Sequence, residues 1–215
     1  MRKRNFPSGS TAAAALFTAI VLVTLPGCTG ESGEDKVSAE STCGGLSNAA
    51  AAALTDITGA DRFYSSSQAD VEDFSETVPK SAEEGNKDSL TFCRASYQKG
   101  EESSSPVVRF TLSDRSEVPP PAKEEVIGEK YFPVALQAVS DTKGADIYFN
   151  CRTSWAKNKD GSAVIHAELE YEISSKAGMS TLRRNMDILQ HVARNVAGEL
   201  GCENHGDIPE RDEPW

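Results

Sequence analysis

Nowhere in the 215 residues does an apolar run reach the roughly 20 that a helix needs to cross a bilayer, which excludes a multispan membrane protein. Bases are scarce, 22 Lys and Arg against 33 Asp and Glu. Three of them, Arg2, Lys3 and Arg4, precede Cys28 and no acid does, so the chain beyond carries 19 bases against 33 acids, a net charge of −14. That field repels phosphates, and no nucleic-acid partner is expected. Missing too are a Gly-rich phosphate loop, a calcium loop and a nucleophile elbow. With 38% hydrophobic and 26% charged residues, the composition is that of one folded domain with added segments, not of a fibre or coiled coil.

The first 28 residues read as an export signal. Arg2-Lys3-Arg4 leads into an apolar stretch from Thr11 to Leu25 (TAAAALFTAIVLVTL), too short to span and typical of the core of a cleaved signal peptide. Leu25-Pro26-Gly27-Cys28 follows. These four residues resemble the bacterial lipobox, although Pro26 stands where Ala or Ser is more usual. The resemblance implies a diacylglyceryl group on the Cys28 thiol, cleavage of residues 1–27, and anchoring by acyl chains at about 0.8 kcal/mol per buried CH₂. Lys3-Arg4-Asn5-Phe6 departs from a twin-arginine signal by its first residue, so general secretion is the expected route. Residues 28–42 (CTGESGEDKVSAEST) are rich in Ser, Gly and acids and read as a flexible tether.

Apart from Cys28, four cysteines remain: Cys43, Cys93, Cys151 and Cys202. An even number in an exported chain implies two disulfides. Of the three possible pairings, Cys43 with Cys93 and Cys151 with Cys202 closes two loops of nearly equal length. Text also repeats: Cys93-Arg94-Ala95-Ser96-Tyr97 returns as Cys151-Arg152-Thr153-Ser154-Trp155. The run Val107-Val108-Arg109-Phe110-Thr111-Leu112 likewise aligns with Val164-Ile165-His166-Ala167-Glu168-Leu169. The expected architecture is an α+β domain over residues 43–202: one antiparallel sheet built from two related, disulfide-stapled hairpins and packed against flanking helices, with halves at about 43–118 and 119–202.

Alternation gives the second hairpin an apolar face of Ile147, Phe149, Cys151, Thr153 and Trp155 with Ile165, Ala167, Leu169, Tyr171 and Ile173. The wet face carries Tyr148, Asn150, Arg152 and Ser154 with His166, Glu168, Glu170 and Glu172. Aligned faces require opposed residues to sum to an even number. A three-residue loop at Lys159-Asp160-Gly161 would place Trp155 opposite Ile165, Cys151 opposite Leu169 and Arg152 opposite Glu168. The matching first hairpin would oppose Tyr97 to Val108 and Cys93 to Leu112. Leu182, Met186, Leu189, Ala193, Val196 and Leu200 form a helical stripe with Ser180 or Thr181 as cap and Gly201 as stop. Leu46, Ala50, Leu54 and Ile57 form a shorter stripe closed by Gly59, and a third helix from Gln68 to Val78 would be cut by Pro79. Residues 113–143 read as a Pro-rich connector and 203–215 as a loose acidic tail.

A tether behind a lipobox, then Cys43-Gly44-Gly45-Leu46 opening an Ala-rich helix, and paired strand cysteines together resemble the lipoproteins of streptomycetes and other actinobacteria. This resemblance implies an envelope habitat and no particular reaction. Candidate chemistry is thin. Ser154-Trp155-Ala156-Lys157 has the S-x-x-K spacing, but in a strand residues three apart point to opposite faces, and the motif's companion sequences are missing. Cys202-Glu203-Asn204-His205 has a metal-ligand spacing, yet Cys202 is needed for a disulfide, so no metal site is expected. His166 and His191 have no triad spacing around them and read as solvated. Glu168, Glu170 and Glu172, with Arg152 and Lys157, read as a charged solvent face. Arg183, Arg184, Arg194 and His191 around Asp187 read as a helix surface laced by i,i+4 ion pairs. No catalytic residue and no cofactor is assigned. The function expected is non-enzymatic binding or structure at the envelope, with the membrane held through the lipid anchor and an envelope protein or wall polymer as partner. A cell-wall or lipid-modifying enzyme and a lipid carrier with an apolar cavity are the alternatives.

Overall fold

The computed structural model describes residues 35–64, 71–98, 105–120, 127–156, 161–172, 178–211 and 213–215. Cys28, the signal segment, Lys157 and Ile173 lie outside them. The described residues form an α+β domain, with three helices, a six-stranded antiparallel sheet and a two-stranded ribbon. The strands are β1 (Lys36–Ser38), β2 (Arg62–Tyr64), β3 (Leu90–Arg94), β4 (Val107–Ser113), β5 (Lys130–Phe132), β6 (Gln137–Ser140), β7 (Gly144–Arg152) and β8 (Ser162–Glu170). The helices are α1 (Asn48–Thr58), α2 (Val71–Glu84) and α3 (Met179–Glu199). β1 pairs with β2, and the large sheet runs β3-β4-β8-β7-β6-β5.

Both hairpins lie side by side, as the four strands at the β3 end of that order. β4 pairs with β8, and Phe110 stands directly opposite Ala167, its counterpart in the sequence repeat. Equivalent residues that face each other place a local two-fold through this β4–β8 pair. The symmetry stops there. Cys93 opposes Val108, with a bulge between Thr91 and Cys93, whereas Cys151 opposes Ala163. Cys43 lies upstream of its hairpin and Cys202 downstream, so the halves are not tandem copies. The disulfides are Cys43–Cys93 and Cys151–Cys202, closing separations of 50 and 51 residues.

Face parity follows the alternation: Ile147, Phe149, Cys151, Ile165, Ala167 and Leu169 are all buried. Register does not follow the short-loop expectation. Cys151 faces Ala163 and Arg152 faces Ser162 instead of Leu169 and Glu168, a shift of six residues that preserves the faces. The cause is Trp155, which leaves the strand in a turn and gives its indole N–H to the Leu200 carbonyl at 3.1 Å, beside the Cys151–Cys202 bridge. In the first hairpin Cys93 opposes Val108 and not Leu112.

Ser47 caps α1, its Oγ accepting the Ala50 amide at 3.3 Å, and Gly59 closes it in the left-handed conformation with φ 69°. α3 starts at Met179 after Gly178, and the Thr181 hydroxyl reaches back to the Gly178 amide. Its whole Leu182-to-Leu200 stripe is buried against the sheet and α1. α2 runs through Pro79 to Glu84 although an interior proline loses one helix bond and crowds the carbonyl four residues back, a cost of about 3 kcal/mol that the burial of Phe74 and Val78 opposes. Phe74 packs on Phe92 and Phe110 with ring centroids 5.2 and 5.3 Å apart, fixing α2 over β3 and β4.

Three segments are more ordered than their composition suggests. The tether reading ends early: Val37 and Ala39 pack inward, Lys36–Ser38 pairs with β2, and Thr42 is buried. The Pro-rich connector supplies β5 and β6, which widen the sheet. The described residues of 203–215 are no loose tail. Asn204, His205, Gly206 and Asp207 all have positive φ, from 50° to 68°, and form a left-handed turn that delivers Ile208 into the core.

Candidate functional site

A cleft of about 130 Å³ lies between the N-terminus of α1, the outer face of α3 and the segment after Ile208. α3 contributes Asp187, Gln190, His191, Arg194 and Asn195, spaced so that they share the face turned away from the sheet. Ser47 and Ala49 form one wall, and Pro209, Glu210, Arg211 and Glu213 the other.

Side chains of α3 read the main chain of that second wall. Arg194 donates to the Ile208 carbonyl and pairs with Glu210 at 3.2 Å. Gln190, 3% exposed, donates to the Pro209 carbonyl at 2.8 Å and accepts the Trp215 indole N–H at 2.8 Å. Asp187 accepts the Trp215 amide at 3.0 Å. Burial raises the Asp187 pKa, and the Trp215 amide opposes that shift. Trp215 meets Phe132 edge to face at 5.0 Å, and the Arg211 guanidinium lies 3.9 Å above its ring. Six residues lie between Ile208 and Trp215, yet their anchors on α3 are about 10 Å apart by helical rise. The segment therefore arches, and the cleft lies beneath the arch.

His191 forms the floor. Its Nε2 lies 3.1 Å from the Ser47 amide nitrogen, 3.1 Å from the Gly45 carbonyl oxygen and 3.0 Å from Asn195 Nδ2. Burial holds its pKa below the usual value; the Gly45 carbonyl opposes the shift and the Arg194 charge adds to it.

A second polar group occupies the helix-free face of the sheet. His166 Nε2 lies 2.7 Å from Asp146 Oδ1, and its ring stacks on Tyr148 at 4.2 Å with planes 2° apart. Glu168 sits between Asp146 on β7 and Arg109 on β4; burial raises its pKa and Asp146 adds to the rise. Arg109 pairs with Glu170 at 2.8 Å.

Both histidines thus differ from the solvated reading, having specific partners and partial burial. The ion pairs of α3 are tertiary and not i,i+4: Arg184 reaches Asp56 on α1 and Arg194 reaches Glu210. Arg152 pairs with Glu203 and not with the glutamate ladder. Ser154 stands in the turn after β7, and its partner in the S-x-x-K spacing, Lys157, lies outside the described residues. Among the described residues no three His, Cys, Asp or Glu side chains are placed to hold a metal ion, and Cys202 is committed to Cys151. Gln190, Asn185, Asp146 and Trp215 were not legible as site residues, because each acquires its role only when distant segments meet. No family model, no curated protein and no solved structure matches this chain.

Proposed function

We propose that the chain is a lipid-anchored, extracytoplasmic protein of the bacterial envelope whose domain binds a partner and catalyses no reaction. The observation that carries the reading is the pairing of all four cysteines of the domain into two disulfides, which persist in oxidising compartments. The basic and apolar segment ahead of Cys28 supplies the route and the anchor. Binding is favoured over catalysis because the charged groups of the cleft are engaged in holding main chain: Arg194 on Ile208, Asp187 on Trp215. A carrier of lipids would need a long apolar cavity. Ile147, Phe149, Met186 and Leu189, none of them exposed, fill the space between sheet and helices.

Cys28→Ala tests the anchor. The variant is expected to leave the membrane fraction or to remain unprocessed, and equal labelling of wild type and variant by a radioactive fatty acid contradicts the proposal. Ser154→Ala, Lys157→Ala, His166→Ala and Glu170→Gln, made singly, test the absence of catalysis. Each is expected to complement a deletion strain at matched abundance; complete loss by any one of them favours the enzyme alternative.

A further inference from the structure

We propose that His191 is a proton-operated switch in the wall of the cleft, exchanging the Ser47 amide for the Gly45 carbonyl as its backbone partner. Nε2 faces a donor and an acceptor two residues apart in sequence, both at 3.1 Å. One nitrogen cannot serve both. Unprotonated, Nε2 offers a single lone pair that the Ser47 N–H and the Asn195 amide N–H share, and the ring proton resides on Nδ1. Once protonated, Nε2 becomes a donor; it gains the Gly45 carbonyl, which the unprotonated nitrogen could not bond, and turns away the two groups that had been donating to it.

Ser47 is the N-cap of α1, and Gly45 lies in the loop that follows Cys43, so the exchange acts where the helix, the first disulfide and the cleft meet. The charged groups around the ring are Asp187 and Arg194 on α3 and Glu210, Arg211 and Glu213 on the arch; α1 brings only Ser47 and Ala49. Burial disfavours the imidazolium, as does the Arg194 charge, and these outweigh the Gly45 carbonyl and Glu210, so the ring titrates on the acid side of a free histidine. The acidic form presents an imidazolium and a freed Ser47 N–H to a cleft whose other charged groups are Asp187, Arg194, Glu210, Arg211 and Glu213. The inference rests on the reading of the cleft as a binding site for its purpose, though not for the chemistry of the exchange.

Ring ¹⁵N shifts of His191 and the exchange protection of the Ser47 amide, followed on the full domain from about pH 8 to about pH 5, test it. At the alkaline end Nε2 should show the shift of an unprotonated, hydrogen-bonded nitrogen. On titration the Ser47 protection factor should fall by up to roughly tenfold with the midpoint of the ring. His191→Gln, whose amide offers a donor and an acceptor at every pH, should abolish the pH dependence. An Nε2–H tautomer at the alkaline end, or Ser47 protection indifferent to the ring's titration, overturns the switch. Membrane fractionation of the Cys28 variant is unaffected by either result, so failure of the switch and failure of the anchored-protein reading are separable.

Discussion

Asn185→Ala should be among the most destabilising single changes outside the disulfides. Asn185, fully buried on α3, accepts the Tyr171 hydroxyl at 2.7 Å and donates to the Asp141 and Gly144 carbonyls at 3.0 and 3.1 Å. It therefore ties α3 to the end of β8 and to the β6–β7 turn. Three hydrogen bonds at about 1 kcal/mol each, plus about 1–2 kcal/mol for stranding the buried Tyr171 hydroxyl, give a cost of about 4–5 kcal/mol. The Gly144 carbonyl keeps Ser140 Oγ at 2.7 Å, which argues for the lower half of that range. Tyr171→Phe removes one bond and should cost about 1–2 kcal/mol. Because the two residues share a bond, the double variant should cost less than the sum of the singles by about 1 kcal/mol. Urea unfolding with the disulfides intact measures all three, provided the slope of the transition is unchanged. Strict additivity, or a cost below about 1 kcal/mol for Asn185→Ala, would refute the network.

Gly206→Ala should cost about 2–4 kcal/mol, since its φ is 68° and a Cβ would stand 2.5 Å from Phe149 Cδ2. Gly201→Ala, with the same φ of 68° and open space around it, should cost only about 1–2 kcal/mol; equal losses in a melting experiment would show that Phe149 does not set the limit. Trp215→Ala leaves the buried Gln190 Oε1 without its indole donor and should make the peptide bonds of the arch more sensitive to protease, with the β-sheet amides still protected. An unchanged cleavage pattern contradicts the role given to Trp215. The His191 pKa is lowered on folding, so its contribution to stability is fully present above the unfolded value near 6.5 and lost as pH falls through the folded value. The difference between wild type and His191→Gln should therefore change below about pH 6.5 and be flat above it; a constant difference through the acid range speaks against this.

Much of the frame was legible because it rests on patterns that survive any register. Alternation assigned Ile147, Phe149 and Cys151 to the core, and a slide of six residues left them there. The stripes of α1 and α3 and the pairing of the cysteines were legible for the same reason: period and count carry them. What escaped depends on single contacts. Trp155 leaves the strand for the Leu200 carbonyl, and nothing local distinguishes it from another strand residue. Lys36–Ser38 offers only Val37 to a pattern search, and residues 203–215 offer only Ile208 and Trp215, yet each segment docks through those few side chains. The histidines looked solvated because their partners, Asp146 for one and Ser47 with Gly45 for the other, lie far off in the chain.

Intact mass spectrometry of the protein extracted from bacterial membranes by detergent, without reductant, tests the central claim most directly. The account predicts a chain beginning at Cys28, heavier by its diacylglyceryl and acyl groups, and lacking the four thiol hydrogens given up in Cys43–Cys93 and Cys151–Cys202. A chain that retains residues 1–27, or begins elsewhere without lipid, or carries free thiols at those positions, would contradict it.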